Sequence, residues 1–350
     1  RVTDHLASAP VGKARQILWR IYSKRAILAA GAIERPIAFA NNDRPGIMLA
    51  GALRTYANRW AVAVAHQVAV FTNNDDGHRT ASDLVAKGVS VAAIIDTRGD
   101  APAHPDVEVL AGATVTDSRG RLGLDKIRVR LADGSQKWIA CGALGVSGGW
   151  NPNVHITCHQ RGRPVWNDAI AAFVPGADSP VGLTSVGAAN GAFSTASALA
   201  GGTRAAVDAL SQLGIKAKSI ALPQAEDGPV NITPFWHVSG KGRAWLDQQN
   251  DVTVKDVKLA HQENFQSVEH LKRYTTLGMA TDQGKTSNIA GLAIMAELAG
   301  KSIPEVGTTI FRPPYTPTAI GVFGGRSRDE TFRPVRLTPS HKWATEQGAV

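Results

Sequence analysis

The stretch VAVFTNNDDGHRTASDLVAKGVSVAAII, residues 68–95, decides the fold. Val68–Phe71 is an apolar run typical of a buried strand, Arg79–Lys87 has the composition of a helix that Gly88 ends, and Val89–Ile95 is a second apolar strand. A strand, a helix and a strand within about thirty residues form the repeating unit of a parallel sheet with right-handed crossovers. The sequence therefore predicts an α/β, doubly wound nucleotide-binding domain of the kind found in FAD- and NAD-linked reductases.

The loop after the first of these strands departs from the usual dinucleotide pattern. Residues 72–77 have the sequence TNNDDG, so the glycines of a G-x-G-x-x-G motif are absent where they would face a pyrophosphate. Asp75 or Asp76 is expected to cap the following helix. We interpret this unit as structural, because the backbone there lacks the residues that permit close approach of a phosphate.

Length and composition define the broader class. The chain has 350 residues, of which 43% are hydrophobic and 19% charged, so it can bury a core in more than one domain and is neither disordered nor collagen-like. The formal charge is +9, but lysines and arginines are scattered, so no nucleic-acid partner is expected. No stretch has the apolar length of a membrane span. The sequence begins at Arg1, the residues after it do not have the pattern of a signal peptide, and we expect a fragment of a longer protein.

The two cysteines, Cys141 and Cys158, are too few for a disulfide framework or for a four-thiolate iron–sulphur cluster. Such sparse use of cysteine suits a reducing compartment, so a cytoplasmic location is expected.

Changes in composition predict four regions. Residues 1–221 form the α/β domain, incomplete at its N-terminus and interrupted by an antiparallel meander at 107–146. Residues 222–240, rich in proline, glycine and acids, are expected to be a linker. Residues 241–303 form a small helical module, and 304–350 a proline-rich extended arm.

Hydrophobic spacing predicts further elements around the central unit. Buried strands are expected at Ser23–Ile33 and Val181–Val186, and a helix at Gly202–Leu213 with Val207 and Leu210 on its apolar face. The helical module is expected to contain Thr253–His261, Ser267–Leu277 with Ser267 as its N-cap, and Ile289–Ala299.

Gly278–Ser287, GMATDQGKTS, nearly matches a P-loop. Five residues separate its two glycines where the motif has four, and the segment follows a helix instead of a strand, so no true P-loop is expected. Gly284, Lys285, Thr286 and Ser287 nevertheless place amides, hydroxyls and a cation at the start of a predicted helix, where they can hold one phosphate. An ordinary interhelical loop with a hydroxyl cap explains the same residues equally well.

Two other patterns are weak. Gly145–Gly149, GVSGG, matches a nucleophile elbow, but Pro152 follows too soon for the required helix, so we expect a tight turn or a close approach to a cofactor. His155, Cys158 and His159 lack a second clustered pair of ligands, and no metal site is predicted.

Longer motifs run through most of the chain in a fixed order. They are GAIERP at 31–36, FANNDRPGIMLAGA at 39–52, VSGGWNPNVH at 146–155, KRYTTLGMATDQGKTSN at 272–288 and GTTIFRPPYTP at 307–317. Together these segments resemble the α-subunit family of heterotetrameric sarcosine oxidases. The resemblance is far more specific than any single short motif above.

The resemblance implies an α subunit with an NAD-carrying dinucleotide domain, a helical module and a C-terminal aminomethyltransferase-like domain that binds tetrahydrofolate. The first dinucleotide motif and the folate domain are expected outside this chain, with Thr338–His341 where the latter begins. The resemblance further implies β, γ and δ partner subunits. Sarcosine would be oxidised to glycine at FAD on β, and electrons would pass to FMN between α and β. Dioxygen would become hydrogen peroxide, and the one-carbon unit would leave as formaldehyde or methylenetetrahydrofolate.

The resemblance also suggests binding residues, although it assigns no catalytic residue. The segments matching the NAD domain contain Ala30, Gly31, Gly187, Ala188, Phe193 and Thr195. The FMN candidates are Gly284, Lys285, Thr286 and Ser287. Glu34 and Arg35 belong to the first motif, and an internal ion pair that fixes the turn explains them equally well.

Two alternatives stay open at this point. The chain resembles subunits of amine, opine or cyanide dehydrogenases in its helical module, where related proteins have iron–sulphur cysteines at positions held here by residues such as Asp282 and Thr286. The absence of those cysteines favours the oxidase branch. A non-catalytic assembly module is the other alternative, because the chain has no strong acid–base pair.

Overall fold

The computed structural model describes residues 2–4, 14–218, 220–225, 227–228, 230–325 and 336–349. Two compact units divide the chain: Lys24–Tyr315, and a smaller unit made of Arg1–Ser23 with Thr316–Val350. Among the described residues, no helix combines the length and apolarity needed to cross a membrane.

The strands are short except in the central sheet. In chain order they are β1 Val2–Asp4, β2 Gln16–Leu18, β3 Ala26–Leu28, β4 Ala32–Glu34, β5 Ile47–Leu49, β6 Gln67–Thr72, β7 Ser90–Asp96, β8 Val109–Ala111, β9 Thr114–Arg119, β10 Lys126–Arg130, β11 Gln136–Ala140, β12 Ala143–Ser147, β13 Trp150–Pro152, β14 Val165–Asn167, β15 Ala172–Val174, β16 Leu183–Ser185, β17 Trp245–Asp247 and β18 Val252–Thr253. The helices are α1 Ala50–Trp60, α2 Asp75–Ala86, α3 His155–Cys158, α4 Thr195–Gln212, α5 Val254–Gln262, α6 Val268–Thr275, α7 Asn288–Ala299, α8 Ile303–Val306, α9 Ile320–Gly324 and α10 His341–Glu346.

A five-stranded parallel sheet with the order β5-β12-β6-β7-β8 lies at the centre of the larger unit. Its strands are buried on both faces, as parallel strands usually are. Helices α1 and α2 cover one face, and the antiparallel sheet β11-β10-β9 covers the other through Val115, Ile127 and Val129. The predicted β-α-β unit is present. The antiparallel meander is shorter than the predicted 107–146, because β8 and β12 belong to the parallel sheet.

The expected strand Ser23–Ile33 is two short strands instead of one. Gly31 has φ +72°, a left-handed conformation that interrupts the extended chain. β3 pairs in parallel with β16, whereas β4 pairs antiparallel with β13. Ile27 is 42% exposed, so this segment is not the buried strand that its apolar composition suggested.

Helix α2 begins earlier than predicted, and its cap is a different residue. The Asn74 side chain accepts hydrogen bonds from the amides of Asp76 and Gly77 at 3.0 and 3.3 Å, so neither predicted aspartate is the cap. An Asx residue at this position satisfies amides that have no partner within the helix.

Helix α4 also begins earlier than the predicted Gly202, because Ser194 caps it through the Ser197 amide. Among its residues only Ala205 is buried. Val207 is 42% exposed and Leu210 is half-buried, so the predicted apolar face of this helix is only partly covered by the described part of the chain.

The second half of the expected linker, 222–240, is bound to the sheet. The Thr233 amide donates to the Asn73 carbonyl, the Ala38 amide donates to the Trp236 carbonyl, and the buried Val238 belongs to the main core. In contrast to the linker interpretation, these residues complete the α/β domain.

Helices α5, α6 and α7 form the helical module. Thr253 and Asp256 make a reciprocal capping box at the start of α5, and Ser267 caps α6 as predicted. Residues Asn288–Ala296 of α7 are all buried, so this helix is the centre of the module. The expected arm is divided between the two units, and its residues 326–335 lie outside the described ones.

Candidate functional site

A cavity of about 270 Å³ lies beyond the carboxyl ends of β6 and β12. We call it the edge cavity; its lining includes Asn74, Trp150, Ala188, Phe193 and Thr195. In open α/β sheets, ligands bind at this edge because helix N-termini and flexible loops meet there. The position is therefore the one where a nucleotide site is expected.

Three of the six residues predicted for NAD line the edge cavity: Ala188, Phe193 and Thr195. Gly187 starts the short 3-10 helix Gly187–Asn190, with φ +60°.

Ala30 and Gly31 have another role. Their carbonyl groups accept hydrogen bonds from the Asn153 side chain at 2.8 Å and from the Asn153 amide at 3.0 Å. Both contacts hold the turn between β3 and β4 against the segment that follows β13. Neither residue is among those that line the edge cavity, although Ala32, which follows Gly31, is one of them.

Side chains already accept hydrogen bonds from one amide at the N-terminus of α1 and from two at the N-terminus of α2. Glu34 Oε2 accepts from the Gly51 amide at 2.7 Å, and the Asn74 side chain caps α2. Asn74 Nδ2 also donates to the Ser147 carbonyl at 3.0 Å, which fixes the cap in place. Because these amides have internal partners and acidic residues follow Asn74, a phosphate has no place at the start of α2.

A buried charge network occupies the position where a dinucleotide fold uses an acid to bind ribose. Asp96, at the end of β7, lies 2.8 Å from both Arg98 Nη2 and His78 Nε2. Arg98 Nη1 also donates to Asp75 at 2.8 Å. Burial alone would raise the pKa of Asp96, but hydrogen bonds from His78 and Arg98 hold it below its usual range. The Asp96 carboxylate is wholly buried, so it is inaccessible to a ribose.

Glu34 and Arg35 do not form the internal ion pair that was one of the two interpretations of this motif. Their side chains extend in opposite directions, as successive strand residues do. Arg35 donates to the Gly148 carbonyl and to Asn151 Oδ1, both at 2.7 Å, and its guanidinium lies 4.9 Å from the Trp236 ring centre. Desolvation by burial raises the pKa of Glu34 to about 7 and lowers the pKa of Arg35 to about 9. The motif thus contacts two different segments: Glu34 binds the start of α1, and Arg35 binds the residues that follow β12.

The loop Gly284–Ser287 is closed by its own hydrogen bonds. Asp282 Oδ1 accepts from the Gly284 amide at 2.8 Å, and the Ser287 amide donates to the Gly284 carbonyl at 3.2 Å. Lys285 Nζ donates to the carbonyl oxygens of Asp282 and Tyr315 at 3.1 and 2.8 Å and lies 4.7 Å from the Tyr315 ring centre. Burial lowers the pKa of Lys285, although Asp282 opposes the shift. These contacts favour the interhelical loop over a phosphate cradle.

Thr286 faces a second cavity of about 270 Å³, which we call the module cavity; its lining includes Ile37, Met48, Trp245 and Gln249. It lies between the α/β domain and the helical module. Gly284 and Lys285 instead line a smaller third cavity beside His155 and Phe311, so the four FMN candidates do not share one cavity and none of them lines the edge cavity.

The weaker patterns have structural roles. Ser147 of the GVSGG turn is buried against Asn74, and a strand follows it where an elbow needs a helix. His155 stacks on Phe311 with ring centres 3.8 Å apart, and burial lowers its pKa to about 3. The described part of the chain contains no group of His, Cys, Asp and Glu residues able to hold a metal. Cys141 and Cys158 are buried free thiols.

Three residues of the candidate site were not predicted from the sequence: Arg54, Trp150 and Asn151. Asn151 accepts from Arg35 and donates through Nδ2 to the Lys285 carbonyl at 3.2 Å. Arg54 and Trp150 line the edge cavity. Trp150 and Asn151 stand inside the quoted segment VSGGWNPNVH, and that segment was the available signal.

The chain is similar in sequence to several known proteins. Residues 241–326 match the family model described as "Sarcosine oxidase A3 domain". The whole chain aligns with the sarcosine oxidase subunit alpha of Rhizobium meliloti (strain 1021) at 41% identity and with that of Corynebacterium sp. (strain P-1) at 38%. It covers 36% and 38% of those two proteins, so it spans little more than a third of their length.

A solved structure of L-proline dehydrogenase from P. horikoshii superposes with a TM-score of 0.63 at 20% identity. The superposition covers 85% of this chain and 58% of that one. This likeness confirms the predicted α/β fold.

Proposed function

The chain belongs to the sarcosine oxidase alpha-subunit family, and from this we propose that it provides a nucleotide-binding scaffold and one wall of a flavin interface in such an oxidase. The complete complex would contain β, γ and δ subunits. It would convert sarcosine, dioxygen and water to glycine, hydrogen peroxide and formaldehyde, or pass the one-carbon unit to tetrahydrofolate. Oxidation of sarcosine would take place at FAD on the β subunit.

The edge cavity is the observation that supports NAD binding. Thr195 is the first residue of the 18-residue helix α4 and lines the cavity together with Phe193. The positive end of the α4 dipole favours an anion there. Ser194 caps only the Ser197 amide and no acidic residue lies in the first turn of α4, whereas two aspartates lie in the first turn of α2. Phe193 and Trp150 offer aromatic surfaces for a base, and Arg54 adds a cation that is shared with Asp76. We propose that NAD is held with its phosphates toward α4.

The module cavity supports the second part of the proposal. The Gly284–Ser287 loop does not fit a phosphate, because the amides of Gly284 and Ser287 and the ammonium of Lys285 have internal partners. The loop is better suited to form one wall of the FMN site, since Thr286 lines the module cavity. FMN, when bound against this wall, would supply transfer of electrons to dioxygen. Lys285 would hold the wall in shape through the carbonyl oxygens of Asp282 and Tyr315.

NAD titration by calorimetry tests the proposed site. Thr195→Glu places a carboxylate in the first turn of α4, where it stabilises the helix but repels a phosphate. We expect at least about tenfold weaker NAD binding with the helix content unchanged. Ala206→Glu, exposed in the middle of α4, adds the same charge and is the matched control; it is expected to bind like the parent. Equal NAD affinity in all three proteins would reject the site.

A non-catalytic assembly role is the second candidate. The observation in its favour is the internal satisfaction of α1 and α2 by Glu34 and Asn74, which closes the usual phosphate position. That role predicts no measurable NAD binding in the parent protein, so the same titration distinguishes the two.

A further inference from the structure

The outer face of the antiparallel sheet β9-β10-β11 carries a concentration of positive charge. Lys126, Arg128 and Arg130 alternate along β10 and share the face that is turned away from the core. Arg119 lies across from Lys126 on β9, and Trp138 lies across from Arg128 on β11. We call Arg119, Lys126, Arg128, Arg130 and Trp138 the basic face.

Three of these cations surround one indole ring. The charged groups of Arg119, Lys126 and Arg128 lie 4.9, 5.2 and 5.6 Å from the ring centre of Trp138. Cation–π attraction holds them together, although the indole is still 37% exposed. The opposite face of the same sheet is buried in the main core, so the strands under these cations are fixed.

Little negative charge compensates this face. Among the described residues, Arg128 alone of the four cations has a carboxylate partner, Asp117, at 3.5 Å. Arg119 and Lys126 oppose each other across the strands, an arrangement of like charges that destabilises a sheet. An anionic partner would relieve this repulsion. The cations are already held in position without a partner, so binding requires little additional ordering of their side chains.

We propose that the basic face binds a carboxylate-rich segment of a partner protein. Carboxylates can pair with Arg119, Lys126 and Arg130, while aliphatic parts of the same segment cover the exposed indole edge. A single-stranded nucleic acid fits less well. Such ligands bind by stacking successive bases on several aromatic rings, and the basic face has one aromatic ring, that of Trp138. The inference is independent of NAD binding at the edge cavity.

Fluorescence anisotropy with a labelled octaglutamate peptide tests the proposal on the 350-residue chain. The triple variant Arg119→Gln, Lys126→Gln, Arg130→Gln keeps the Arg128–Asp117 pair and removes three charges. We expect it to bind the peptide at least roughly tenfold more weakly than the parent, as three exposed charge contacts would give. Octaglutamine should bind neither protein.

The matched control is Lys255→Gln, Lys258→Gln, Lys301→Gln, which removes three exposed charges outside the basic face. It should bind octaglutamate within about twofold of the parent. Equal weakening in both triple variants would mean that net charge alone attracts the peptide and would overturn the proposal. Tighter binding of an eight-nucleotide oligo-dT than of octaglutamate would also overturn it, in favour of a nucleic-acid surface.

Discussion

Replacing Glu34 with glutamine should change how the stability of the chain depends on pH. Burial raises the pKa of this carboxyl from its ordinary 4.5 to about 7, which corresponds to about 3 kcal/mol. The folded state therefore binds its proton more tightly than the unfolded state, and stability falls as pH rises from about 4.5 to about 7. Glu34 is only 4% exposed, so solvent screens the effect little.

The assay is urea unfolding of the parent and of Glu34→Gln at about pH 5.5 and about pH 8.5. Between these values the ionisation of Glu34 should cost the parent about 2 kcal/mol of unfolding free energy, and the variant should lack this loss. The glutamine oxygen can still accept from the Gly51 amide, so the cap of α1 survives. Other titrating groups contribute equally to both proteins and cancel. An identical pH dependence in the two proteins would refute the reasoning.

Two further predictions concern contacts at the cavities. Asn74→Ala removes the α2 cap and the hydrogen bond to the Ser147 carbonyl. It should lower the unfolding free energy by about 2 kcal/mol, measured by thermal or urea unfolding. Asn58→Ala, at an exposed position, is the control, and an equal loss in both variants would contradict the assigned role of Asn74. Lys285→Ala should lower the unfolding free energy by about 1 kcal/mol, because the hydrogen bond to the Tyr315 carbonyl is lost. In the complete complex, the same substitution should slow the reoxidation of FMN more than it slows the reduction of FAD by sarcosine. Unchanged flavin spectra and oxidase kinetics would contradict that role of Lys285.

Local signals were sufficient for the central unit. Apolar runs at Val68–Phe71 and Val89–Ile95 predicted β6 and β7 because parallel strands are buried on both faces and must be apolar throughout. The capping residue of α2 was beyond local reasoning. Asn74 and the aspartates after it have similar capping propensities, and the contact with Ser147, distant in sequence, holds Asn74 in place.

For the second half of 222–240, the linker prediction differs from the structure for a related reason. Its proline and glycine content indicates a linker, yet Asn231 bonds to Asp75 and Thr233 bonds to Asn73. Composition reports local stiffness and polarity, whereas these contacts join residues far apart in the chain.

The candidate site was only partly predictable. Phe193 and Thr195 were found through the resemblance, because α4 follows a turn rich in small residues. Lys285 was identified as a cation near a helix start, but the carbonyl oxygens that bind it come from Asp282 and from Tyr315 in the arm. Whether a lysine faces a ligand or its own protein depends on such tertiary contacts.

The most direct test of the central claim is the visible spectrum of this chain co-purified with a sarcosine oxidase β-type subunit, before and after addition of sarcosine. The proposed function predicts a stable complex whose flavin absorbance bleaches with sarcosine and recovers in air. A chain that remains colourless and does not associate with the β-type subunit would contradict it.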